Sequence, residues 1–216
     1  MINMDFSKRL VIETHSLPWI ASPAKGVWRK PLERESKESG HTTSVVKYEA
    51  GSQFTTHQHP LGEEIFVLEG VFSDENGDYP AGTYLRNPPN SAHAPFSKKG
   101  CVLWVKLNQF DPQDAAEIRI NTNTTPWLQG QGRLEVMPLH QFQYEHVALV
   151  KWPQGEVFKP HQHFGGEEIF VLQGTFEDEQ GKYPAGTWMR SPHLSSHHPR
   201  VNEPTVILVK TGHLHP

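Results

Sequence analysis

Residues 57 to 70 read HQHPLGEEIFVLEG, and residues 161 to 174 read HQHFGGEEIFVLQG. On an extended strand His57 and His59 project their imidazoles from one face, because side chains alternate with a period of two. A turn over 60–62 then returns Glu63 at the head of the next apolar run. His93 follows a proline-rich turn and reaches the same wall if the strands close antiparallel. The second set is His161, His163, Glu167 and His197, each 104 residues after its partner. Three neutral imidazoles and one carboxylate suit a first-row transition metal, whereas calcium and magnesium take oxygen ligands. The expected cofactor is a divalent transition metal, two per chain, with zinc placed first and iron, manganese or nickel as alternatives. One His-x-His alone is an ordinary strand feature; eight matched positions are not. His198 rivals His197 as a ligand, and the register of the repeat selects His197. HLHP, residues 213–216, reads as a weak surface chelator.

The elements that must hold these groups are legible from the duplication. The offset of 104 runs without a gap from VVKYEAGSQF against LVKWPQGEVF to CVLWVK against TVILVK, and between His57 and His93 it preserves 24 of 37 residues. An earlier echo, Pro18-Trp19 against Pro126-Trp127, stands at an offset of 108. Short runs such as SVVKY, EEIFVL and CVLWVKL are β-branched and aromatic, bounded by Gly, Pro or Asn, and read as strands. DENGDYPAG and DEQGKYPAG place Asn-Gly and Gln-Gly where hairpin loops belong. The polar stretch 108–125 is the seam, giving domains at 1–112 and 113–216. The fold class is all-β, two tandem antiparallel barrels or sandwiches.

Alternation places Glu63, Ile65 and Val67 on one face of that strand and Glu64, Phe66 and Leu68 on the other. Both faces are apolar beyond the glutamates, which predicts a large contact between copies or a homodimer. Glu64 and Glu168 are assigned to a solvated or interface face. Arg86 and Arg190 either fix a turn or grip a substrate carboxylate. Lys47, Lys106, Lys151 and Lys210 read as outward, solubilising charges, and Tyr48, Trp104, Trp152 and Trp188 as mostly core, with one or two of them lining the barrel mouth.

Gly51-x5-His57-x-His59-x3-Glu63-x6-Gly70 and Gly155-x5-His161-x-His163-x3-Glu167-x6-Gly174 resemble the first motif of the cupins. The second cupin motif is met less fully, by Gly82, Pro88 and His93 and by Gly186, Pro192 and His197, with Ser97 or Val201 in place of its final asparagine. Its inner glycine is Asn90 in one copy and Leu194 in the other. Asn enters a left-handed turn cheaply and Leu does not, so the second turn is expected to have a different backbone. The resemblance implies two jelly-roll (double-stranded β-helix) barrels. More narrowly, the chain is similar along almost its whole length to the cupin-like C-terminal domain of the anti-sigma factor ChrR, whose zinc ligands map onto His57, His59, Glu63 and His93.

That family's sigma-binding helical domain, with its His and Cys-x2-Cys set, has no counterpart here, so binding of a sigma factor is not expected. The resemblance implies a regulatory or sensory metal-binding bicupin. The alternative is a metal-dependent dioxygenase or related enzyme acting on a small organic acid or diketone, with catalytic residues unassigned. Either way a small-molecule ligand at the metal is the expected partner.

Composition narrows the setting. A formal net charge of -4 and a pI near 6.4 provide no basic field for phosphates, which argues against nucleic acid. No apolar run has the length of a bilayer span, and the first twenty residues lack a signal peptide's apolar core, so no membrane partner is expected. The lone Cys101 fits a reducing compartment. Together these features predict a cytoplasmic protein.

Overall fold

In a computed structural model that describes residues 1–214, the chain is built from β-strands, with one short 3-10 turn at Thr14–Ser16. It divides into two compact units. The first comprises Met1–Met4 and Leu17–Thr125, and the second Asp5–Ser16 and the chain from Pro126 onward. Each unit is a jelly-roll barrel.

The main sheet of the first unit runs Ile118–Asn121, Thr83–Asn87, Glu63–Asp74, Cys101–Leu107, Thr42–Tyr48, Val27–Arg34 and Ile20–Ala21. Its pairings are antiparallel throughout. The second unit repeats this order as Leu10–Glu13, Thr187–Ser191, Glu167–Gln173, Thr205–Thr211, Glu145–Trp152, Glu135–Phe142 and Leu128–Gln129. Leu10 lies opposite Arg190 as Ile118 lies opposite Arg86. The strand that opens each sequence repeat therefore completes the sheet of the unit built from the other repeat.

Alternation fills the barrels as the period-two reading requires. Ile65, Val67, Phe72, Leu103, Val105 and Tyr48 are buried together in the first, and Ile169, Val171, Phe176, Ile207 and Trp152 in the second. Trp104 and Trp188 are buried as well. Gly70 and Gly174, which close the repeated motif, sit at φ 72° and 73°. A Cβ at Gly70 would collide with the carbonyl oxygen of Gly100, and one at Gly174 with that of Pro204, so both backbone and space demand glycine.

Several outward positions are not solvated. Glu64 and Glu168 are buried, contrary to the solvated or interface reading. Glu64 accepts from the Tyr84 hydroxyl at 2.6 Å, with Arg86 at 3.7 Å. Glu168 accepts from Trp188 Nε1 at 2.6 Å and faces His213 Nε2 at 2.9 Å. Lys106 and Lys210 are buried too, rather than solubilising. Lys106 donates to Thr43 at 2.9 Å near Glu33, and Lys210 pairs with Glu145 at 3.0 Å. Buried charges require such partners. Arg86 pairs with Asp114 and Arg190 donates to the carbonyl of Asp5, so both have structural roles. His213 is engaged by Glu168 instead of forming a surface chelator and Leu214 is buried, while His215 and Pro216 lie outside the described residues. Among the described residues no helix is long and apolar enough to cross a membrane.

Candidate metal centres

The two His-x-His pairs sit on three-residue strands, His57–His59 and His161–His163, which pair with Ser91–His93 and Ser195–His197. His57 is directly opposite His93, and His161 opposite His197, so the distal histidine arrives by register. Glu63 and Glu167 begin the next strands, where they face Asn87 and Ser191.

In the first barrel the ring centroids of His57, His59 and His93 are 4.8 to 5.4 Å apart. Glu63 Oε2 lies 3.4 Å from His59 Nε2 and 3.2 Å from His93 Nε2. In the second, His197 Nε2 is 3.0 Å from His163 Nε2, 3.3 Å from His161 Nε2 and 3.6 Å from Glu167 Oε2. All four ligand atoms there lie within 4.8 Å of one another, as do those of His57, His59 and His93. His198 is exposed and stands outside the cluster.

The ring orientations of His57, His93 and His161 turn nitrogen lone pairs into the clusters as metal donors would. His57 Nδ1 is 3.0 Å from the carbonyl of Thr55, and His161 Nδ1 3.0 Å from that of Lys159. A carbonyl only accepts, so Nδ1 carries the proton and the Nε2 lone pair faces inward. His93 Nδ1 faces Asp74 Oδ2 at 3.4 Å with the same effect. Nε2 of His59 and of His93 are buried without a hydrogen-bond partner. Donors roughly 2.1 Å from one ion stand roughly 3.0 Å apart at an octahedral right angle and 3.4 Å apart at the tetrahedral angle. Glu63 stands 3.2 to 3.4 Å from His93 and His59, and His197 3.0 to 3.3 Å from His163 and His161, as such an ion requires. Glu167 is 3.5 to 3.6 Å from its histidines, and Glu63 does not join His57, His59 and His93 within 4.8 Å as Glu167 joins its three.

Two supporting residues in the first barrel escaped the sequence reading. Asp74 Oδ1 accepts from the amides of Asn76 and Gly77 and from the Tyr79 hydroxyl, leaving Oδ2 to orient His93. The hairpin turn is accordingly formed by Glu75 and Asn76 and closed on the Asp74 carboxylate. Asn87 Nδ2 donates to Glu63 Oε2 at 2.8 Å and is itself held by Arg119 at 2.6 Å. The second barrel differs at both points. Arg9 Nη2 takes Asp178 Oδ2 at 2.8 Å, and His197 Nδ1 stands off at 3.9 Å.

The electrostatics follow. Burial alone would raise Glu63, but attraction to His59 and His93 and the Asn87 hydrogen bond hold it at about 2. Burial pushes Glu167 up to about 8, helped by Asp178 and opposed by Arg9. Burial lowers His163 to about 3 and His197 to about 4, with the neighbouring imidazoles adding to it. Burial lowers His59 too, whereas Glu63 and Asp74 outweigh it and raise His93.

The Leu194 turn matches its sister despite the expectation of a different backbone. Asn90 and Leu194 have φ of 66° and 61°. Their amides donate to His59 and His163 carbonyls at 2.8 and 2.9 Å. The ladder bringing in the distal histidine imposes the turn, and Leu194 bears the strain.

A cavity of about 350 Å³ opens onto the first centre, with His57 and Glu63 in its wall beside Tyr48, Phe54, Ile65 and Phe72.

The family model described as the ChrR cupin-like domain matches residues 7–111 and again 115–215. The chain belongs to this family. No curated relative matches it. Among solved structures, a "putative dioxygenase" from Nostoc punctiforme superposes with a TM-score of 0.81 at 15% identity, covering 96% of this chain and 84% of that one. Protein Ylba from E. coli gives 0.73 at 11%, covering 98% and 93%. The oxalate decarboxylase formate complex of Lactobacillus farciminis gives 0.67 at 13%, covering 95% and 87%. These likenesses establish a shared fold.

Proposed function

We propose that the chain is a divalent-metal enzyme that works on a small oxygen-rich organic molecule, an organic acid or diketone, in its N-terminal barrel. The observation that carries this reading is the cavity with His57 and Glu63 in its wall. A centre that only staples a barrel needs no such access, and the volume lies at the small end of ligand pockets. The fold shared with proteins described as a "putative dioxygenase" and an oxalate decarboxylase agrees with it.

His57, His59, Glu63 and His93 would hold one metal and His161, His163, Glu167 and His197 the other. A bound metal supplies Lewis-acid polarisation of a chelated oxygen and, if it is redox-active, a seat for dioxygen. Asp74 keeps the proton on His93 Nδ1, and Asn87 adds its hydrogen bond to the attraction of His59 and His93 that holds Glu63 ionised. Tyr48, Phe54 and Phe72 give the chamber its apolar wall and restrict water.

Metal analysis of the purified protein should find two equivalents per chain, and His57→Ala and His161→Ala should each remove about one. Metal content unchanged by both substitutions would refute the centres. The metal-loaded chain should consume a small diketone or organic acid, and His57→Ala should abolish that turnover. Binding without turnover would instead favour the sensory role that the ChrR resemblance implies.

A further inference from the structure

Two arginines line the N-terminal cavity together with His57 and Glu63, and the second barrel has neither. Arg29 and Arg34 come from the strand Val27–Arg34, where they pair with Val46 and Thr42. At the same register the second barrel carries Val136, opposite Val150, and Gln141, opposite His146. The hairpin between these strands is also three residues longer in the first copy, with seven residues between Arg34 and Thr42 against four between Gln141 and His146.

That extra loop carries Glu38. Its Oε2 lies 3.0 Å from Arg29 Nη1 and 4.0 Å from Arg34 Nη2. One carboxylate oxygen therefore already lies between the two guanidinium groups. Both arginines are largely buried, at 18% and 16% side-chain exposure, whereas Glu38 is 46% exposed. Arg34 is further anchored through Nε to the carbonyl of Ser36 at 2.9 Å. The guanidinium pair meets one carboxylate directly, the second carboxylate of the cavity being Glu63 at the metal centre, and Val46, Phe54, Leu103 and Val105 contribute apolar wall. Burial and the nearby Arg29 lower the pKa of Arg34, and Glu38 acts in the opposite sense, as any anion placed there would.

We propose that Arg29 and Arg34 are a carboxylate clamp, occupied by Glu38 in the free chain, which makes the ligand of the N-terminal centre an organic acid and not an uncharged diketone. This rests on the metal-centre reading above. Planar guanidinium pairs recognise carboxylates with charge-assisted hydrogen bonds, and a partly desolvated site strengthens them. The ligand's carboxylate displaces Glu38 while its remaining oxygens face His57 and Glu63. The C-terminal barrel, with Val136 and Gln141 at these positions, has no such preference.

The test compares two probes of one skeleton, 2,4-dioxopentanoate and pentane-2,4-dione, titrated calorimetrically into the zinc-loaded chain, where zinc prevents oxidative turnover. The acid should bind about tenfold or more tighter than the dione. Arg29→Met with Arg34→Met should remove that preference while leaving zinc content and dione binding unchanged. Glu38→Gln, a conservative exposed substitution, should tighten the acid alone. Equal binding of the two probes by the native chain, or a preference that survives the double substitution, overturns the clamp. Dione binding with zinc present and no acid preference defeats the clamp and spares the metal centre. A chain that takes up no zinc defeats both.

Discussion

Asn87 and Ser191 occupy the same cross-strand position, facing Glu63 and Glu167, two carboxyls of opposite character. The amide of Asn87 reaches Glu63 and helps hold it ionised, whereas Glu167 stays protonated up to about 8. Asn87→Ala should weaken the N-terminal metal by about 10–100-fold, the usual cost of losing an orienting partner, and leave the C-terminal one unchanged. Competition with a chromophoric chelator reads this directly. Leu194 gives a second prediction. A non-glycine residue at φ 61° is strained by roughly 1–2 kcal/mol, and Asn tolerates that region better. Leu194→Asn should therefore stabilise the protein by about 0.5–1 kcal/mol in denaturant titration; a loss of stability would mean that Leu194 makes compensating contacts.

At the scale of elements, the edge strand Leu10–Glu13 and the residues before it shape the C-terminal centre. Arg9 donates to Asp178 and to the Tyr183 hydroxyl, each at 2.8 Å. Arg9→Met would leave a buried carboxylate without its cation and should cost about 3–5 kcal/mol. An unchanged unfolding midpoint would contradict this. The clustering of the histidines in each barrel was legible in the sequence because a period of two and an exact repeat fix their face and their order. Asp74 and Asn87 were not, since their roles depend on which residues the register sets opposite one another. Glu64 and Lys106 were misread for a related reason: alternation tells which face a side chain takes, but not whether something covers that face. The arginine pair was hidden by the three extra hairpin residues, which break the offset just before the gapless alignment begins at residue 45.

For the whole molecule, the two barrels are alike in fold and unlike in proton chemistry. Without metal, the raised carboxyl of Glu167 contributes stability that is complete below about pH 4.5 and lost as pH climbs toward 8. His163 and His197 are depressed, so their contribution is present above about pH 6.5 and lost as pH falls toward 4 and then 3. The metal-free C-terminal barrel should thus be most stable between these limits. Glu167→Gln should abolish the decline on the alkaline side. Melting curves of the chelator-treated protein from pH 4.5 to 8.5 check both claims, and a steady rise across that range would contradict them. Metal needs an ionised Glu167 and neutral imidazoles, so its stabilising effect on this barrel should grow toward pH 8.

The reciprocal placing of Leu10–Glu13 and Ile118–Asn121 bears on how such a chain is made and how it arose. During synthesis the strand that finishes the second sheet emerges first and must wait for nearly all the remaining chain, while the first sheet is finished only by residues translated after its own repeat has ended. Cutting the gene at the seam would yield two fragments, each holding the other's missing edge, which should reassociate when mixed. In the arrangement seen here, a precursor with a single repeat would have lent this strand to another copy of itself. The peptide bond through the seam keeps the two exchanged strands within one molecule.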